Sequence, residues 1–303
     1  MVNIQDQSVY KLTGLFNQRL NISWTLGTFC VYKCSYCPTE LHDGAIPYHP
    51  TDKVLSMFNK LPNGADVIFL GGEPTYHPDF ERIALEKPDG IRIQLITNGA
   101  RPLEFWQRIG PKLHQVVFSF HPEFANVDRF IENALEILKH THRFRVFLIM
   151  SPDKWDYCAD VYNKLTSAGI IALPKPILKG FGMQLMPGYS PEQLRWIGEK
   201  NKTDNIKTIT IFDKDNNVLL ETSPNELLAK NQTNFTGFDC YSPLQHIAVE
   251  ADGKIYNSKC AQKSLIGDLH TGEIDLPTTH MLCNTKFCVC QSDIMSGKIR
   301  SSI

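Results

Sequence analysis

Nine cysteines in a 303-residue chain fall into two groups, and their spacing carries the first chemical statement. Cys30, Cys34 and Cys37 lie within eight residues of one another; Cys240, Cys260, Cys283, Cys288 and Cys290 crowd the far end; only Cys158 stands apart. In a reducing compartment such clusters read as metal ligands rather than disulfides. The spacing Cys-x-x-x-Cys-x-x-Cys offers three thiolates on one short loop. A cubane iron–sulfur cluster has four irons and is held by thiolates, so three cysteines leave one iron open to a substrate or cofactor. A zinc site is the alternative, with His42 or His49 as the fourth ligand. Structural zinc commonly takes paired Cys-x-x-Cys spacing, which three-then-two spacing fits poorly.

Three further motifs follow at regular intervals. VIFLGGEPTYHP carries Gly71, Gly72, Glu73 and Pro74. The glycines let backbone approach a ligand closely, and Glu73 offers an acceptor to a cationic amine. LITNG carries Thr97, Asn98 and Gly99, and VVFSFHPE carries Ser119, His121 and Glu123. Taken singly, each of these is ordinary turn chemistry.

The elements that must position them alternate between strand and helix. LNISWTL, DVIFL, IRIQLIT, QVVFSF, FRVFLIM and GIIALP are near-continuous apolar runs, as expected for parallel strands buried on both faces. Helical stretches separate them, at 51–60, 103–109, 127–141 and 157–168. In the third of these Asn126 is placed as N-cap, and Val127, Phe130, Ile131, Ala134, Leu135 and Leu138 recur at helical spacing. Six strand–helix units in series imply right-handed βαβ crossovers, hence an α/β partial (β/α)6 barrel of TIM type, with a doubly wound open sheet as second choice. Ligands gather at the C-terminal ends of such strands, and all four motifs fall there. The expected division is an N-terminal extension over 1–19, the barrel over 20–180, a connector with a β-hairpin turning at Asp215–Asn217 over 181–236, and a cysteine-stapled domain over 237–303. Phe105, Trp106 and Phe130 are expected to pack, and Cys158 to be a core thiol.

Composition narrows the setting. Hydrophobic residues make up 42% of the chain and its formal charge is −1, so no nucleic-acid partner is expected. No apolar run approaches a membrane span, and the polar start MVNIQDQSVYKLTG lacks a secretory signal, so a cytoplasmic location is expected.

Cys30-x-x-x-Cys34-x-x-Cys37 with the aromatic Tyr36 before the last cysteine, followed by GGEP, resembles the signature of the radical S-adenosylmethionine (SAM) superfamily. The resemblance covers about residues 20–180. It implies a 4Fe–4S cluster on the three cysteines, with SAM on the open iron. Reductive cleavage of SAM would give a 5′-deoxyadenosyl radical that abstracts a substrate hydrogen. By the same resemblance Gly72 and Glu73, with Gly71, meet the SAM amino group. Ser119 is a candidate for the ribose, and Thr97, Asn98 and Tyr36 are further SAM contacts. His121 and Glu123 are candidates for substrate contact or catalysis. A reductant such as flavodoxin or ferredoxin is implied as partner.

The tail, with a cysteine, an Asp-Gly hairpin before a second cysteine and then three more, resembles the auxiliary-cluster domains of the SPASM and twitch groups. Five cysteines rather than seven favour the shorter twitch form, with a second 4Fe–4S cluster on four of Cys240, Cys260, Cys283, Cys288 and Cys290. Zinc is the physical alternative. Three functions remain open. One is modification of a ribosomally made peptide by crosslinking, epimerisation or oxidation. With 29 residues ahead of Cys30, that reading expects a separate leader-binding protein. The second is a radical dehydrogenase, or another modification of a sugar, nucleoside or amino acid. The third is a non-catalytic metal-binding protein on the same fold.

Overall fold

A computed structural model describes residues 2–14, 19–179, 184–201 and 208–301, and the chain forms two compact units. The first strand, β1 (Lys11–Gly14), belongs to the smaller unit, which comprises Met1–Ser23, Asn59–Val67 and Asn205–Ile303.

The larger unit comprises Trp24–Phe58 and Ile68–Asp204. Its sheet begins with the ends of β2 (Asn21–Thr25) and β3 (Asp66–Leu70) and continues through β4 (Arg92–Thr97), β5 (Leu113–Phe120), β6 (Phe144–Met150) and β7 (Ala172–Pro176). The strands lie side by side in chain order, and β4 to β7 pair in parallel. A helix follows each strand: α1 (Thr51–Phe58), α2 (Phe80–Glu86), α3 (Leu103–Ile109), α4 (Val127–Leu138), α5 (Trp155–Ser167) and α6 (Pro191–Asn201). This is the partial (β/α)6 barrel. Asn126 caps α4 as expected, its side chain accepting from the Arg129 N–H at 3.0 Å. Two short strands, β8 (Leu178–Lys179) and β9 (Gln184–Leu185), pair after β7. The Gly-rich start of the connector, 180–183, lies outside the described residues.

One face of the sheet is sealed. Trp24, Phe58, Phe69, Phe80, Phe105, Trp106, Phe118 and Phe130 form a continuous run of ring contacts between strands and helices. The other face is not sealed, which corrects the expectation of strands buried on both sides. In β6 Phe144, Val146, Leu148 and Met150 are buried, whereas Arg145, Phe147 and Ile149 are half-buried; β4 alternates in the same way. Successive strand residues point to opposite faces, so the half-buried row lines the inner side of the barrel. Cys158 is a core thiol, fully buried with its Sγ 3.6 Å from the Ile149 carbonyl.

The smaller unit cuts across the division expected from sequence. Its hairpin is β10 (Ile209–Phe212) and β11 (Val218–Thr222), turning through Asn216 at φ 63°. Next come α7 (Pro224–Ala229), β12 (Phe238–Cys240), α8 (Ser242–Gln245) and the antiparallel run β13 (His246–Val249), β14 (Lys254–Tyr256), β15 (Leu265–Asp268) and β16 (Glu273–Ile274). It closes with β17 (Met281–Leu282), α9 (Gln291–Met295) and β18 (Lys298–Arg300). A six-stranded sheet of order β11-β10-β1-β18-β12-β17 joins them. Strands from three stretches that the sequence divides, β1 from the extension, β10 and β11 from the second half of the connector, and β12, β17 and β18 from the tail, therefore share one sheet. The core of this unit includes Ile4, Val9, Leu12, Ile211, Phe235 and Phe238. The reason is hydrogen bonding: β1 would be a lone strand, and it finds partners in β10 on one side and β18 on the other. Among the described residues no helix is long and apolar enough to cross a membrane.

Candidate active site

The loop after β2 carries Cys30, Cys34 and Cys37, with Cys34 buried and the other two half-buried. The Tyr32 N–H donates to Cys30 Sγ at 3.3 Å, and the Asn98 amide reaches the same sulfur at 3.9 Å. Burial pushes the thiols up, Cys30 to about 11 and Cys34 to about 12, and Cys37 is raised for the same reason. Neighbouring thiols add to the rise at Cys30 and Cys34. The loop thus gathers three thiols where a bound cation would have to supply the charge that makes them thiolates. Their spacing bears on which cation. Among the described residues, the one set of three His, Cys, Asp or Glu ligand atoms lying within 4.8 Å of one another is His246, Cys290 and Asp293. The three loop sulfurs stand wider apart than a single zinc ion needs, which fits a cluster. His49 is occupied elsewhere, since its Nδ1 accepts the Trp24 indole N–H at 2.9 Å.

Glu73 is 1% exposed, and its carboxylate is surrounded by donors of its own chain. Oε1 accepts from the Thr75 N–H at 3.0 Å, the Thr75 hydroxyl at 2.7 Å and the Thr97 hydroxyl at 2.7 Å; Oε2 accepts from the Asn98 N–H at 2.6 Å. Burial pushes this carboxyl up, and the four donors pull it back. The side chain therefore ties the turn after β3 to the turn after β4. Thr97 and Asn98 meet here: one holds Glu73, and the other both holds Glu73 and reaches Cys30.

Gly71 and Gly72 make room for protein rather than open space. Gly71 has φ 126°, and a Cβ there would stand 2.6 Å from the Gly27 carbonyl oxygen; at Gly72 it would stand 2.2 Å from that of Phe29. The freed space brings backbone together, with the Gly72 N–H donating to Gly27 at 3.1 Å and the Glu73 N–H to Phe29 at 2.7 Å. Tyr48 completes the joint, its hydroxyl donating to the Glu73 carbonyl at 2.6 Å. Sequence reasoning missed Tyr48, and nothing in the polar loop around it marks it out.

The HPE segment after β5 holds the other side of the cysteine loop. Tyr36 Oη lies 2.8 Å from His121 Nδ1, with the two rings stacked at 6.0 Å and 15°. Glu123 accepts from the Ser35 N–H at 2.8 Å and also from the Ser35 hydroxyl. Tyr32 stacks on Phe124 at 5.4 Å. Burial lowers His121 to about 4, against a smaller opposing effect of the Glu123 charge, so the imidazole is neutral. Both residues offered as candidates for substrate contact thus grip the residues between Cys34 and Cys37. Ser119 is half-buried on the inner face, paired across the sheet with Phe147, over whose ring Lys175 Nζ sits at 4.9 Å.

In the smaller unit Cys240, Cys283 and Cys288 are buried in one core cluster. Cys240 ends β12, beside β17 and just ahead of Cys283, and the Cys283 N–H donates to Phe238 at 2.8 Å. Cys290 is the N-cap residue of α9, and burial pushes it up to about 12. Cys260 follows the β13–β14 hairpin, with Ser258 Oγ 3.3 Å from its sulfur. No three of these five sulfurs lie within 4.8 Å of one another, whereas Cys290 does lie within that distance of His246 and Asp293.

Residues 24–197 match the sequence model of the Radical SAM superfamily. The chain belongs to that superfamily, whose enzymes use SAM and a 4Fe–4S cluster. Among solved structures it is similar to a histidine-tagged anSMEcpe with bound AdoMet, at a TM-score of 0.54 and 15% identity over 84% of this chain and 75% of that one. It is also similar to native anSMEcpe with bound AdoMet and Kp18Cys peptide, at a TM-score of 0.53 and 16% identity over 82% and 78% of the two chains. No curated protein matches the chain in sequence.

Proposed function

We propose that this protein is a radical SAM enzyme that modifies a peptide, with an auxiliary iron–sulfur cluster held by four of its five tail cysteines. The observation that carries the catalytic part is the buttressed loop of Cys30, Cys34 and Cys37, gripped by Gly72 and Glu73 on one side and by His121 and Glu123 on the other. When bound, the cluster and SAM supply one-electron cleavage of a sulfonium bond and a primary carbon radical. Everything else falls to the chain. Cys30, Cys34 and Cys37 would hold the cluster through their thiolates. Asn98 sits against Cys30, so the TNG turn follows the position of the ligand sulfur. On this reading Tyr36, within the cysteine loop, and Ser119, on the inner face, would contact SAM.

A peptide is favoured because the inner face is only half-buried along β4 and β6, which suits an extended chain. The similar anSMEcpe has been solved with a peptide bound. A one-electron donor such as flavodoxin or ferredoxin completes the reaction. The test is anaerobic reconstitution followed by reduction with SAM present. Wild type forms 5′-deoxyadenosine and carries about eight irons per chain, whereas Cys34→Ala forms none and carries about four. Absence of cleavage in fully loaded wild type would overturn the proposal. Incubation with peptides encoded beside the enzyme then reads the substrate class by mass change.

A further inference from the structure

The smaller unit contains a buried cation that, among the described residues, no acidic side chain pairs with directly. Lys298 is 1% exposed. Its ammonium donates to three carbonyl oxygens, of Asp293 at 2.5 Å, Ser296 at 3.0 Å and Ile294 at 3.3 Å, and lies 4.5 Å from the centre of the Phe235 ring. Among the described residues no carboxylate oxygen comes within ion-pair distance of it. The buried carboxylate in this region, Asp293, feels the Lys298 charge, which helps lower it, but its oxygens bond other groups. Its Oδ1 meets the Ser242 hydroxyl at 2.5 Å and His246 Nδ1 at 2.7 Å, and its Oδ2 accepts the Lys259 N–H at 3.1 Å. His246 is in turn held by Ser23, whose Oγ is 2.9 Å from Nε2.

What faces Lys298 instead is sulfur. Lys298 is the cross-strand partner of Cys240 in the β12–β18 pair, so the two side chains rise on the same side of the sheet about 5 Å apart at Cβ. The carbonyls that hold its ammonium belong to α9 and the residue after it, and α9 starts directly behind Cys290. Carbonyl dipoles can orient an ammonium but do not cancel its charge, and an uncompensated buried charge is costly. Four thiolates around a cubane, or around zinc, carry net negative charge.

We propose that Lys298 is the counter-charge of the metal centre held by the tail cysteines, and that it sets the potential of that centre. The inference rests on the auxiliary-cluster reading above. It makes Lys298 a positioning and tuning residue, not a ligand, with the Ser23–His246–Asp293 chain fixing the segment that presents its carbonyls.

The test uses the full chain with Cys30, Cys34 and Cys37 replaced by Ala, so that any cluster signal comes from the tail. Lys298→Met removes charge and donors, Lys298→Gln removes charge but keeps two N–H donors, and Lys298→Arg keeps charge. After anaerobic reconstitution, iron and sulfide are counted and the midpoint potential is read by EPR-monitored titration. The melting temperature is measured with and without metal. Met and Gln should bind the same amount of iron as the chain that keeps Lys298, with a more negative midpoint, because a centre gaining an electron loses its nearby cation. Metal should raise their melting temperature less than it raises that of the Lys298 chain, and Arg should restore both readouts. If the chain that keeps Lys298 binds no iron, the auxiliary-cluster reading fails. If it binds iron and Met and Gln leave potential and metal-induced stabilisation unchanged, the counter-charge fails. Failure of both neutral variants to fold, with or without metal, would assign Lys298 to the fold alone and overturn it as well.

Discussion

Replacing Glu73 with Gln separates a contact to the cofactor from a structural buckle. The carboxylate accepts three hydrogen bonds on Oε1 and one on Oε2, all from its own chain. Gln keeps one oxygen, which the three Thr75 and Thr97 donors would claim. Its amide N–H2 must then face the Asn98 N–H, donor against donor at a site almost free of water. A hydrogen bond to a charged group contributes about 1.5–3 kcal/mol, and a buried donor left unmade costs about 1–3 kcal/mol. Thr hydroxyls can rotate to soften the loss, so ~3 kcal/mol of unfolding free energy is the expected cost. That is less than the roughly 5–15 kcal/mol typical of a domain, so the variant should fold. Urea unfolding of the metal-free protein reads this directly. Combining Glu73→Gln with Thr97→Val should give less than the sum of the two losses, since the Thr97 bond that Val removes goes to a carboxylate in wild type but to a weaker, neutral acceptor in the Gln background. A variant within about 0.5 kcal/mol of wild type that nevertheless fails to bind SAM would refute the buckle and restore Glu73 as a direct cofactor contact.

Two further outcomes follow from the same loop. Gly72→Ala drives a Cβ to 2.2 Å from the Phe29 carbonyl oxygen, a backbone atom that cannot swing away. The variant should lose ~2 kcal/mol or more of stability and fail to retain iron after reconstitution, read by denaturation and metal analysis. His121 has a folded pKa of about 4 against an ordinary 6.5, so between those values the unfolded chain binds a proton that the folded chain does not. Stability should therefore fall as pH drops from about 6.5 toward 4, by at most ~3 kcal/mol. His121→Gln should flatten that part of the profile, and an unchanged slope would count against a neutral buried imidazole.

Much of the barrel was legible because its signals are local. Cys30, Cys34 and Cys37 lie on one loop, the apolar runs mark each strand, and GGEP, TNG and HPE each sit where a strand stops. The roles inside the site were less legible, because they depend on contacts between loops far apart in sequence. Glu73 to Asn98, and His121 to Tyr36, join turns that no periodicity connects. The glycines of GGEP were expected to face a ligand, and only the folded chain reveals that Gly27 and Phe29 fill the space a side chain would need. The inner-face alternation in β6 was hidden because Phe147 and Ile149 are as apolar as their buried neighbours. The smaller unit was the least legible. β1 has four residues and no pattern of its own, and Lys298 sits in a polar-looking SGKIRS stretch although it is among the most buried side chains of the protein.

The position of β1 has a consequence for how the protein is made. Leu12 pairs with Ile211 on one side and with Lys298 on the other, and the Arg300 guanidinium closes onto the Val9, Ile4 and Asp6 carbonyls. β1 leaves the ribosome before the barrel and its partner β18 after it, so that edge of the strand must wait unpaired through the synthesis of the whole barrel. The barrel's own contacts run between successive units and can form as they appear, whereas closing the sheet that holds Cys240 requires joining residues nearly the full chain apart. The three-cysteine loop is thus ready to take metal while the tail is still being translated. The sheet that holds Cys240 closes only after β18 has been made, and an early stop or a block to β1 would leave it open while the barrel still forms.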